Sequence, residues 1–224
     1  MSSSLENLKK LIEDFGFVAT NNPITDKIVI HGVAGCGKST LTRELIKDSG
    51  FNVVNALSDE KIDLTGQYIK KDLITFENKI NVLDEYLSVD HHEGFQVLLA
   101  DPFQYSQKPY LANYTKKKSH RFKKELVPIL LELGIEVQVE EEGLNITRGS
   151  AYDIEPKGKI ICIEKEVAEY VSGHGLEICY PCCVQGQEFE VVTFYYKKEL
   201  KELSRSDLYI ALTRVRRELK LLQL

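Results

Sequence analysis

Hydrophobic positions in the first hundred residues follow two patterns. Near the amino terminus, Leu5, Leu8 and Ile12 recur at helical spacing, which predicts an amphipathic helix over residues 4–15. Farther on, short runs rich in β-branched residues alternate with segments of helical character, including a helix predicted over Thr40–Asp48. The predicted buried strands are Lys27–His31, Asn52–Val54, Ile80–Leu83 and Gln96–Ala100. Strands that alternate with helices favour an α/β fold with a parallel, doubly wound sheet.

A second set of predicted elements follows a change in composition over Asn113–Lys124, where lysine and arginine become dense after a more acidic stretch. We place the division between two lobes here. The predicted elements beyond it are strands at Ile135–Val139, Lys159–Ile163, Val191–Tyr196 and Leu219–Leu222, and a helix from Asp207 to about Arg216. The predicted domains are therefore a helix and lead-in over 1–23, a first lobe over 24–115 and a second, smaller lobe over 116–224.

Composition narrows the class of protein. With 43% hydrophobic residues among 224, the chain can bury a core, which excludes a disordered adaptor. Its formal net charge of −5 excludes a globally basic coat protein, so a nucleic-acid partner would have to meet a local basic track. The residues from Met1 to Glu6 lack the pattern of a signal peptide, so we expect none, and no apolar stretch approaches the ~20 residues that span a bilayer. Five cysteines, an odd number, fit a reducing compartment, so we expect a soluble cytosolic protein.

The segment Gly32–Ser39 matches G-x-x-x-x-G-K-[ST] at every defined position and lies between a predicted strand and a predicted helix. Its glycines let backbone N–H groups converge on phosphate oxygens beside the positive end of the helix dipole. In such a loop Lys38 reaches the β- and γ-phosphates, and the Ser39 hydroxyl binds Mg²⁺. The predicted nucleotide-binding residues are Gly32, Val33, Ala34, Gly35, Cys36, Gly37, Lys38, Ser39 and Thr40. A glycine-rich turn that binds nothing would leave Lys38 unexplained.

Carboxylates and an amide follow two other predicted strands. Asp84 and Glu85 end the run that begins at Ile80. Because parallel strands end at a common edge of the sheet, we expect Asp84 to hold the Mg²⁺ site and Glu85 to polarise the attacking water. Asp101 and Gln104, just past the next strand, are candidates for sensing the γ-phosphate. The alternatives are a solvated acidic turn for the first pair and a proline turn capped by Asp101.

Two arginines and one polar turn are the candidates in the second lobe. Arginine pairs with phosphate oxygens through a fixed fork of donors and stays charged, so we expect Arg121 and Arg214 to neutralise charge that develops on the γ-phosphate. The turn at Gln185–Gly186 is a candidate contact to phosphate and sugar. The alternatives are a plain polar turn and favourable charges at a helix C-terminus, which would account for Arg216–Arg217.

In this order the segments resemble the motifs of the superfamily 1 helicases, and more closely the viral subset found in plant filamentous RNA viruses. The corresponding segments are Gly32–Ser39 for motif I, Val82–Glu85 for motif II, Ala100–Gln104 for motif III, His120–Phe122 for motif IV, Gln185–Phe189 for motif V and Ala211–Arg214 for motif VI. The similarity spans about residues 24–222. Two departures are Tyr180–Val184, which lacks the Thr and His that many members carry there, and Ala100, where Gly is more usual.

The small size of the chain is similar to the first protein of the triple gene block of potexvirus- and carlavirus-like genomes. This resemblance implies two RecA-like lobes and helicase activity that uses ATP, or another NTP, with Mg²⁺. It also implies binding of single-stranded viral RNA, suppression of RNA silencing, and movement through plasmodesmata together with two small membrane proteins and the coat protein. The implied location is the host cell cytoplasm, plasmodesmata or cytoplasmic inclusions. Homo-oligomerisation is left open.

Three functions are compatible with these residues. The leading hypothesis is a motor in which hydrolysis in a cleft between the lobes moves RNA. The second is an RNA-coating movement and silencing-suppressor protein in which hydrolysis is weak or dispensable. The third is a small-molecule kinase, which would leave the polar turn and the C-terminal arginines unexplained.

Three smaller features each keep two interpretations. Lys116–Lys124 carries six cations in nine residues and is either a solvated face or, with interleaved aromatic residues, a groove for single-stranded RNA. Cys36 is either a reactive thiol whose pKa Lys38 lowers or a small residue that fits the loop. The last group is either a zinc site or a set of buried structural thiols: Cys162, His174, Cys179, Cys182 and Cys183.

Overall fold

The computed structural model describes residues 2–57, 59 and 68–224. The chain divides into two compact units, Met1–Lys118 and Ser119–Leu224. The predicted lobe boundary at 115/116 falls inside a strand of the first unit, Tyr114–Lys116. Among the described residues, no helix has the length and apolar character needed to cross a membrane.

The first unit is built on a six-stranded sheet. Its elements in chain order are α1 (Ser2–Asp14), β1 (Val18–Ala19), β2 (Ile28–Gly32), α2 (Lys38–Leu45), β3 (Phe51–Asn55), β4 (Ile80–Asp84), β5 (Val97–Ala100) and β6 (Tyr114–Lys116). The strand order is β1-β6-β2-β5-β4-β3, and every neighbouring pair is parallel except β1 with β6. The parallel sheet predicted from the buried runs is therefore confirmed.

The central strands of this sheet lie within the hydrophobic core. All five residues of β2 and all four of β5 are buried, as expected for strands that are covered on both faces. In α1, Leu8 and Ile12 are buried while Glu6 and Lys10 are exposed. Helix α2 begins at Lys38, two residues before its predicted start, because Gly37 adopts a left-handed conformation (φ 103°) and serves as its N-cap.

The second unit contains a five-stranded, wholly parallel sheet in the order β11-β10-β12-β13-β9. After β7 (Lys118–Ser119), which pairs with β8 in a separate two-stranded sheet, its elements are α3 (Val127–Glu132), β8 (Gln138–Val139), β9 (Asn145–Ser150), β10 (Lys159–Cys162), α4 (Lys165–Gly173), β11 (Ile178–Cys179), α5 (Pro181–Val184), β12 (Phe189–Tyr196), α6 (Arg205–Leu212) and β13 (Val215–Gln223).

Two predicted elements of this unit differ in the structure. The strand predicted over Ile135–Val139 is reduced to β8, because Gly134 (φ 69°) ends α3 and the backbone N–H of Ile135 bonds back to the carbonyl of Leu130. The helix predicted to reach Arg216 ends at Leu212, and β13 begins at Val215. Arg216 and Arg217 therefore lie on a strand, and their interpretation as helix C-terminal charges is wrong.

Candidate nucleotide site

Three strands of the first unit bring the predicted nucleotide residues to one edge of the sheet. Strand β5 lies between β2 and β4 and runs parallel to both, with His31 beside Ala100 and Asp84 beside Leu99. The phosphate loop after β2, Asp101 after β5 and Asp84 at the end of β4 consequently share the carboxyl-terminal edge, where ligands bind in open α/β sheets.

The phosphate loop has the backbone that its glycines permit. Gly35 and Gly37 have positive φ angles of 75° and 103°, which bulky L-residues rarely adopt. Gly32 is required for a different reason, because a Cβ at this position would lie 2.3 Å from the Cys36 Sγ. Cys36 is fully buried, and burial raises the pKa of its thiol despite the nearby Lys38. The reactive-thiol interpretation is therefore wrong, and Cys36 is a small residue that fits under Gly32.

Lys38 is held inside this loop. Its side chain is buried, with 7% of the residue exposed, and Nζ donates to the carbonyl oxygen of Gly32 at 2.8 Å. Burial alone would lower the pKa of Lys38, but the neighbouring acidic groups outweigh it and raise the pKa above its ordinary value. Those groups are Cys36, Asp101, Glu85 and Asp84, in decreasing order of effect. Lys38 thus carries a positive charge at neutral pH. Ser39 and Thr40, which follow it, are exposed.

Asp84 and Glu85 differ sharply in backbone and environment. Asp84 is buried, and its Oδ1 accepts a hydrogen bond from the Glu85 N–H at 3.0 Å. Glu85 has a left-handed backbone (φ 58°, ψ 40°), and its Oε2 accepts a hydrogen bond from the Tyr105 hydroxyl at 2.9 Å. A solvated turn would not bury Asp84 or constrain the Glu85 carboxylate in this way.

Asp101 and Gln104 are held together in one 3₁₀ turn, Pro102–Gln104. Asp101 is fully buried; Oδ1 accepts from the Phe103 N–H at 3.2 Å, and Oδ2 accepts from the Gln104 side-chain amide at 3.0 Å. The carboxylate therefore caps the turn, as one interpretation predicted, and in doing so it fixes the Gln104 amide. The γ-phosphate sensing role of both residues stays a prediction.

The donor set at this edge suits Mg²⁺. This ion prefers oxygen ligands and is usually held by one or two carboxylates together with phosphates and water. Asp84 supplies a carboxylate and Ser39 an exposed hydroxyl, and both follow strands that end at the same edge. These two residues would hold the ion, and no other protein ligand is needed for it.

In the second unit, Arg121 is oriented by a carboxylate. Arg121 Nε lies 2.5 Å from Glu188 Oε1, and the other carboxylate oxygen, Oε2, accepts from Nε of Arg216 at 2.8 Å. Its neighbour Phe122 is buried and packs edge-to-face on Tyr209 of α6, with ring centroids 6.1 Å apart. The position of Arg121 is thus fixed both by its side chain and by the residue after it.

Arg214 lies in the turn between α6 and β13 and is 1% exposed. Its Nε donates to the Ile210 carbonyl at 3.2 Å, and one terminal nitrogen donates to the Thr213 hydroxyl at 3.1 Å. Gln185 and Gly186 form the turn that follows α5, with Gly186 at φ 80°. The structure therefore defines the backbone at Arg214 and at the Gln185–Gly186 turn, while the contacts of these residues to nucleotide stay predictions.

The cysteines near this turn fit neither the zinc-site interpretation nor the interpretation as buried structural thiols in full. Cys162 is buried, but Cys182 and Cys183 are exposed, so the expectation of buried structural thiols is wrong for that pair. Within the described part of the chain, no group of three or more histidine, cysteine or acidic side chains is arranged to hold a metal ion.

The sequence pattern does not single out three residues near these groups. Glu188 belongs to a polar turn, and Tyr105 stands in no motif. Lys116 belongs to the basic run, but its Nζ donates to the Phe15 carbonyl at 2.7 Å and lies 3.8 Å from where a Gly37 Cβ would stand. The signal that would have found it is register, since Lys116 lies opposite Gly32 on the neighbouring strand.

Comparison with solved structures supports the fold. The chain resembles an arterivirus nonstructural protein 10 helicase, solved in complex with DNA, with a TM-score of 0.62 and 16% sequence identity over 88% of this chain. A helicase of PRRSV matches with a TM-score of 0.61 and 16% identity. The chain spans 60% and 52% of these two helicases, respectively.

Sequence comparison identifies the family. Residues 28–223 match the viral superfamily 1 RNA helicase core domain. The movement and silencing protein TGBp1 of Apple stem pitting virus (isolate PA66) is 38% identical over 97% of this chain and 99% of the relative. The protein of the same name from Papaya mosaic potexvirus is 34% identical over 92% of this chain and 90% of the relative. The chain therefore belongs to the viral superfamily 1 RNA helicases and, among them, to the TGBp1 movement and silencing proteins.

Proposed function

We propose that this chain is an RNA-binding helicase that hydrolyses ATP with Mg²⁺ and serves a plant virus in cell-to-cell movement and in suppression of RNA silencing. The observation that carries the proposal is the buried, protonated Lys38 inside a phosphate loop that shares one sheet edge with Asp84 and Glu85. Family membership supports the helicase and movement roles.

In this proposal the first unit binds the triphosphate. Amides of the loop and Lys38 neutralise the phosphates, and Ser39 and Asp84 hold the ion. When bound, Mg²⁺ stabilises charge on the phosphate oxygens. Glu85 polarises the attacking water, a task for which a carboxylate oriented by the Tyr105 hydroxyl is suited.

The remaining candidate residues respond to the γ-phosphate and to the rest of the nucleotide. Gln104, fixed by Asp101, senses the γ-phosphate. Arg121 and Arg214 neutralise the charge that develops during transfer, and Gln185 and Gly186 contact phosphate and sugar. The two RecA-like lobes are those predicted over 24–115 and 116–224, with residues 1–23 as a lead-in, and the division between the two compact units, after Lys118, lies three residues beyond the predicted boundary.

The partners and location follow from the family. We propose single-stranded viral RNA as the polymer substrate, and the two small membrane movement proteins and the coat protein as protein partners. The proposed place of action is the host cytoplasm, including plasmodesmata and cytoplasmic inclusions. The names of the relatives, which are movement and silencing proteins of plant viruses, support this assignment.

Substitution of Lys38 tests the proposal. Lys38→Ala should reduce ATP hydrolysis by at least about 100-fold, the scale for loss of one preorganised charge-stabilising group. Lys47→Ala is a matched control, because Lys47 lies just beyond the same helix but is exposed and pairs with Glu44. Unchanged hydrolysis by the Lys38 variant would refute the assigned site.

A second measurement separates a motor from a protein that merely coats RNA. Strand displacement on a partly duplex RNA should require ATP and should be lost in the Lys38→Ala variant, while filter binding of single-stranded RNA persists. RNA binding and movement that persist without any ATP-dependent displacement would favour the coating function instead.

A further inference from the structure

The phosphate loop has a basic neighbour on the side of β2 that faces away from the acidic residues. Strand β6 runs parallel to β2, and its last residue, Lys116, lies opposite Gly32, where the loop begins. The strand order β6-β2-β5-β4 places Asp84 and Asp101 on the other side of β2. Lys116 therefore stands at the same edge of the sheet as these carboxylates, but on the opposite side of the loop.

Lys116 approaches the loop near both of its ends. Its backbone carbonyl accepts a hydrogen bond from the Val33 N–H at 3.1 Å, close to the start of the loop. Its side chain is half-buried, and Nζ lies 3.8 Å from the position of a Cβ built on Gly37, the residue just before Lys38. One residue of β6 thus spans the loop from its second residue to the glycine that caps α2.

The ammonium group of Lys116 is held here by the turn that follows α1. Nζ donates to the Phe15 carbonyl at 2.7 Å and lies over the Phe17 ring, 5.5 Å from its centre. The carbonyl takes one of the three donors of the ammonium group, and the ring face attracts the cation electrostatically. Both of these partners are neutral, so they position the cation without cancelling its charge.

The charge of Lys116 acts inside the loop. Burial raises the pKa of the Cys36 thiol, whereas Lys38 and Lys116 both act to lower it. The electrostatic effect of Lys116 therefore extends to the residue that precedes Gly37. An anion bound by the loop would meet two lysines, one within the loop and one on its β6 side.

The side from which Lys116 approaches indicates which phosphates it would meet. In the proposed site Lys38 serves the β- and γ-phosphates, and Asp84 with Ser39 holds the ion beside them. Because Lys116 lies across β2 from Asp84, we expect it to face the phosphates that are farther from the transferred group. An ammonium group binds phosphate as a point charge, so it needs no single direction of approach.

We propose that Lys116 is a second phosphate-binding lysine, which contacts the α- and β-phosphates of the nucleotide from the β6 side of the loop. This inference rests on the proposed ATP hydrolysis, because it adds a residue to the same site. Lys116 would strengthen nucleotide binding and take no part in the transfer of the γ-phosphate.

The test compares variants of Lys116 in nucleotide binding without RNA. Lys116→Met keeps the apolar stem but removes the charge, and Lys116→Gln removes the charge but keeps a polar donor. In both variants we expect the Kd for ADP and the KM for ATP to rise about 10-fold, the scale of one hydrogen bond from a charged group. The kcat should stay within about twofold, because ground state and transition state share the contact. Lys116→Arg, which keeps the charge, should bind ADP within about threefold of the unchanged chain.

Lys27 provides a matched control at the other end of β2. Its Nζ also donates to backbone carbonyls, those of His92 and Phe95, at 3.2 and 3.4 Å. Lys27 precedes β2, whereas the phosphate loop follows it, so Lys27→Met should leave the Kd for ADP and the KM for ATP within about twofold. Thermal unfolding of the two methionine variants measures how much stability each loses with its carbonyl contact, which distinguishes a loss of folding from the loss of a phosphate contact.

The outcomes separate this inference from the proposed function. If Lys38→Ala abolishes hydrolysis while both neutral variants of Lys116 bind ADP as the unchanged chain does, Lys116 only fastens the turn after α1, and the nucleotide site stands. If the affinity for ATP falls but that for ADP does not, the assignment to the α- and β-phosphates is wrong. If Lys27→Met weakens ADP binding equally, the effect is structural and the inference fails. If the unchanged chain binds no nucleotide, the proposed function fails with it.

Discussion

Glu85 is the one non-glycine residue with a positive φ angle among those that the structure describes. A left-handed backbone costs a residue of this kind about 1–3 kcal/mol, so it persists only where the surroundings enforce it. Here the enforcement is visible: the hydroxyl of Ser88 donates to the Glu85 carbonyl at 2.8 Å, and the Tyr105 hydroxyl holds the carboxylate. Strain concentrated at the predicted water-activating residue supports its functional assignment.

Tyr105→Phe removes the hydroxyl that donates to that carboxylate at 2.9 Å without changing the ring. We expect kcat for ATP hydrolysis to fall about 3- to 10-fold with KM unchanged, less than the roughly 100-fold or greater loss on removing a general base, because orientation is weakened and the base remains. Steady-state kinetics beside Glu85→Gln measure the difference. Tyr152→Phe, at a 72%-exposed tyrosine, is the control, and equal rates in both tyrosine variants would contradict the orienting role.

His31 makes the first unit sensitive to acid. Its ring nitrogen lies 3.0 Å from the Tyr86 hydroxyl, which itself accepts from the Tyr110 N–H, and burial lowers the pKa of His31 to about 4. Between pH 6.5 and pH 4, His31 therefore binds a proton in the unfolded chain but stays largely neutral in the folded chain. The free energy of unfolding should fall by up to about 3 kcal/mol between pH 6.5 and pH 4 from this residue.

Denaturant titrations of the unchanged chain and of His31→Gln over this pH range measure that contribution. The variant should show a shallower decline from pH 6.5 to pH 4, and above pH 7 the difference between the two proteins should be constant. Parallel curves across the whole range would mean that the pKa of His31 is the same in the folded and unfolded chains, which would contradict the prediction.

The predictable part of the candidate site is the part that the chain encodes locally. The phosphate loop is contiguous, and Asp84 and Asp101 follow buried strands whose parallel ends must meet at one edge. Tyr105 and Glu188 instead contact residues 20 and 67 positions away along the chain, Glu85 and Arg121, and no periodic pattern marks such pairs.

At the scale of elements, the depth at which a strand is buried determines whether its sequence pattern predicts it. Strands β2, β4, β5 and β12 are rich in β-branched and other apolar residues, and all four were predicted. Strand β9 (Asn145–Ser150) escaped prediction because it is mostly polar and its residues are only half-buried or exposed; it forms the edge of its sheet beside β13. The element's existence depends on its partner and not on its own composition.

Gly158 controls how β10 enters its sheet. Its φ angle is +72°, and a Cβ at this position would lie 2.2 Å from the backbone carbonyl oxygen of Val191 in β12. Gly158→Ala should therefore destabilise the chain by about 3 kcal/mol, the sum of left-handed strain and a clash with backbone that cannot move aside.

Gly175→Ala separates the two causes. Gly175 has a similar φ angle of +78° but no atom within 4 Å of the added Cβ, so only the strain of about 1–2 kcal/mol should appear. Urea unfolding of both variants measures the difference. Equal destabilisation would show that the packing of Gly158 against Val191 contributes nothing.

For the whole molecule, charge is organised in local pairs despite the net charge of −5. Within the second unit, Lys123 is paired with Glu141, and Lys124 lies 2.6 Å from Glu142. Lys124 and both glutamates are largely exposed, whereas 22% of the Lys123 side chain is exposed. This arrangement favours the solvated-face interpretation of the basic run over a dedicated RNA groove, at least for its last two lysines.

Replacing Lys123 and Lys124 together by alanine should therefore change the dissociation constant for single-stranded RNA by less than about threefold, since each lysine already has a local counter-ion. The dependence of affinity on salt should also keep its slope, which reports the number of phosphates neutralised. The control is Glu141→Gln/Glu142→Gln. A tenfold higher dissociation constant for single-stranded RNA in the lysine variant would instead support the interpretation as an RNA groove.

The distribution of thiols has a practical consequence. Cys36 and Cys162 are fully buried, and burial raises the pKa of both, that of Cys162 to about 12. Cys182 and Cys183 instead stand exposed, three and two residues before Gln185. A maleimide fluorophore would thus attach beside the turn that carries Glu188 while the phosphate loop remains unlabelled. Such a label would leave the loop that we propose to hold the triphosphate unmodified, so the labelled protein should hydrolyse ATP at the rate of the unlabelled one.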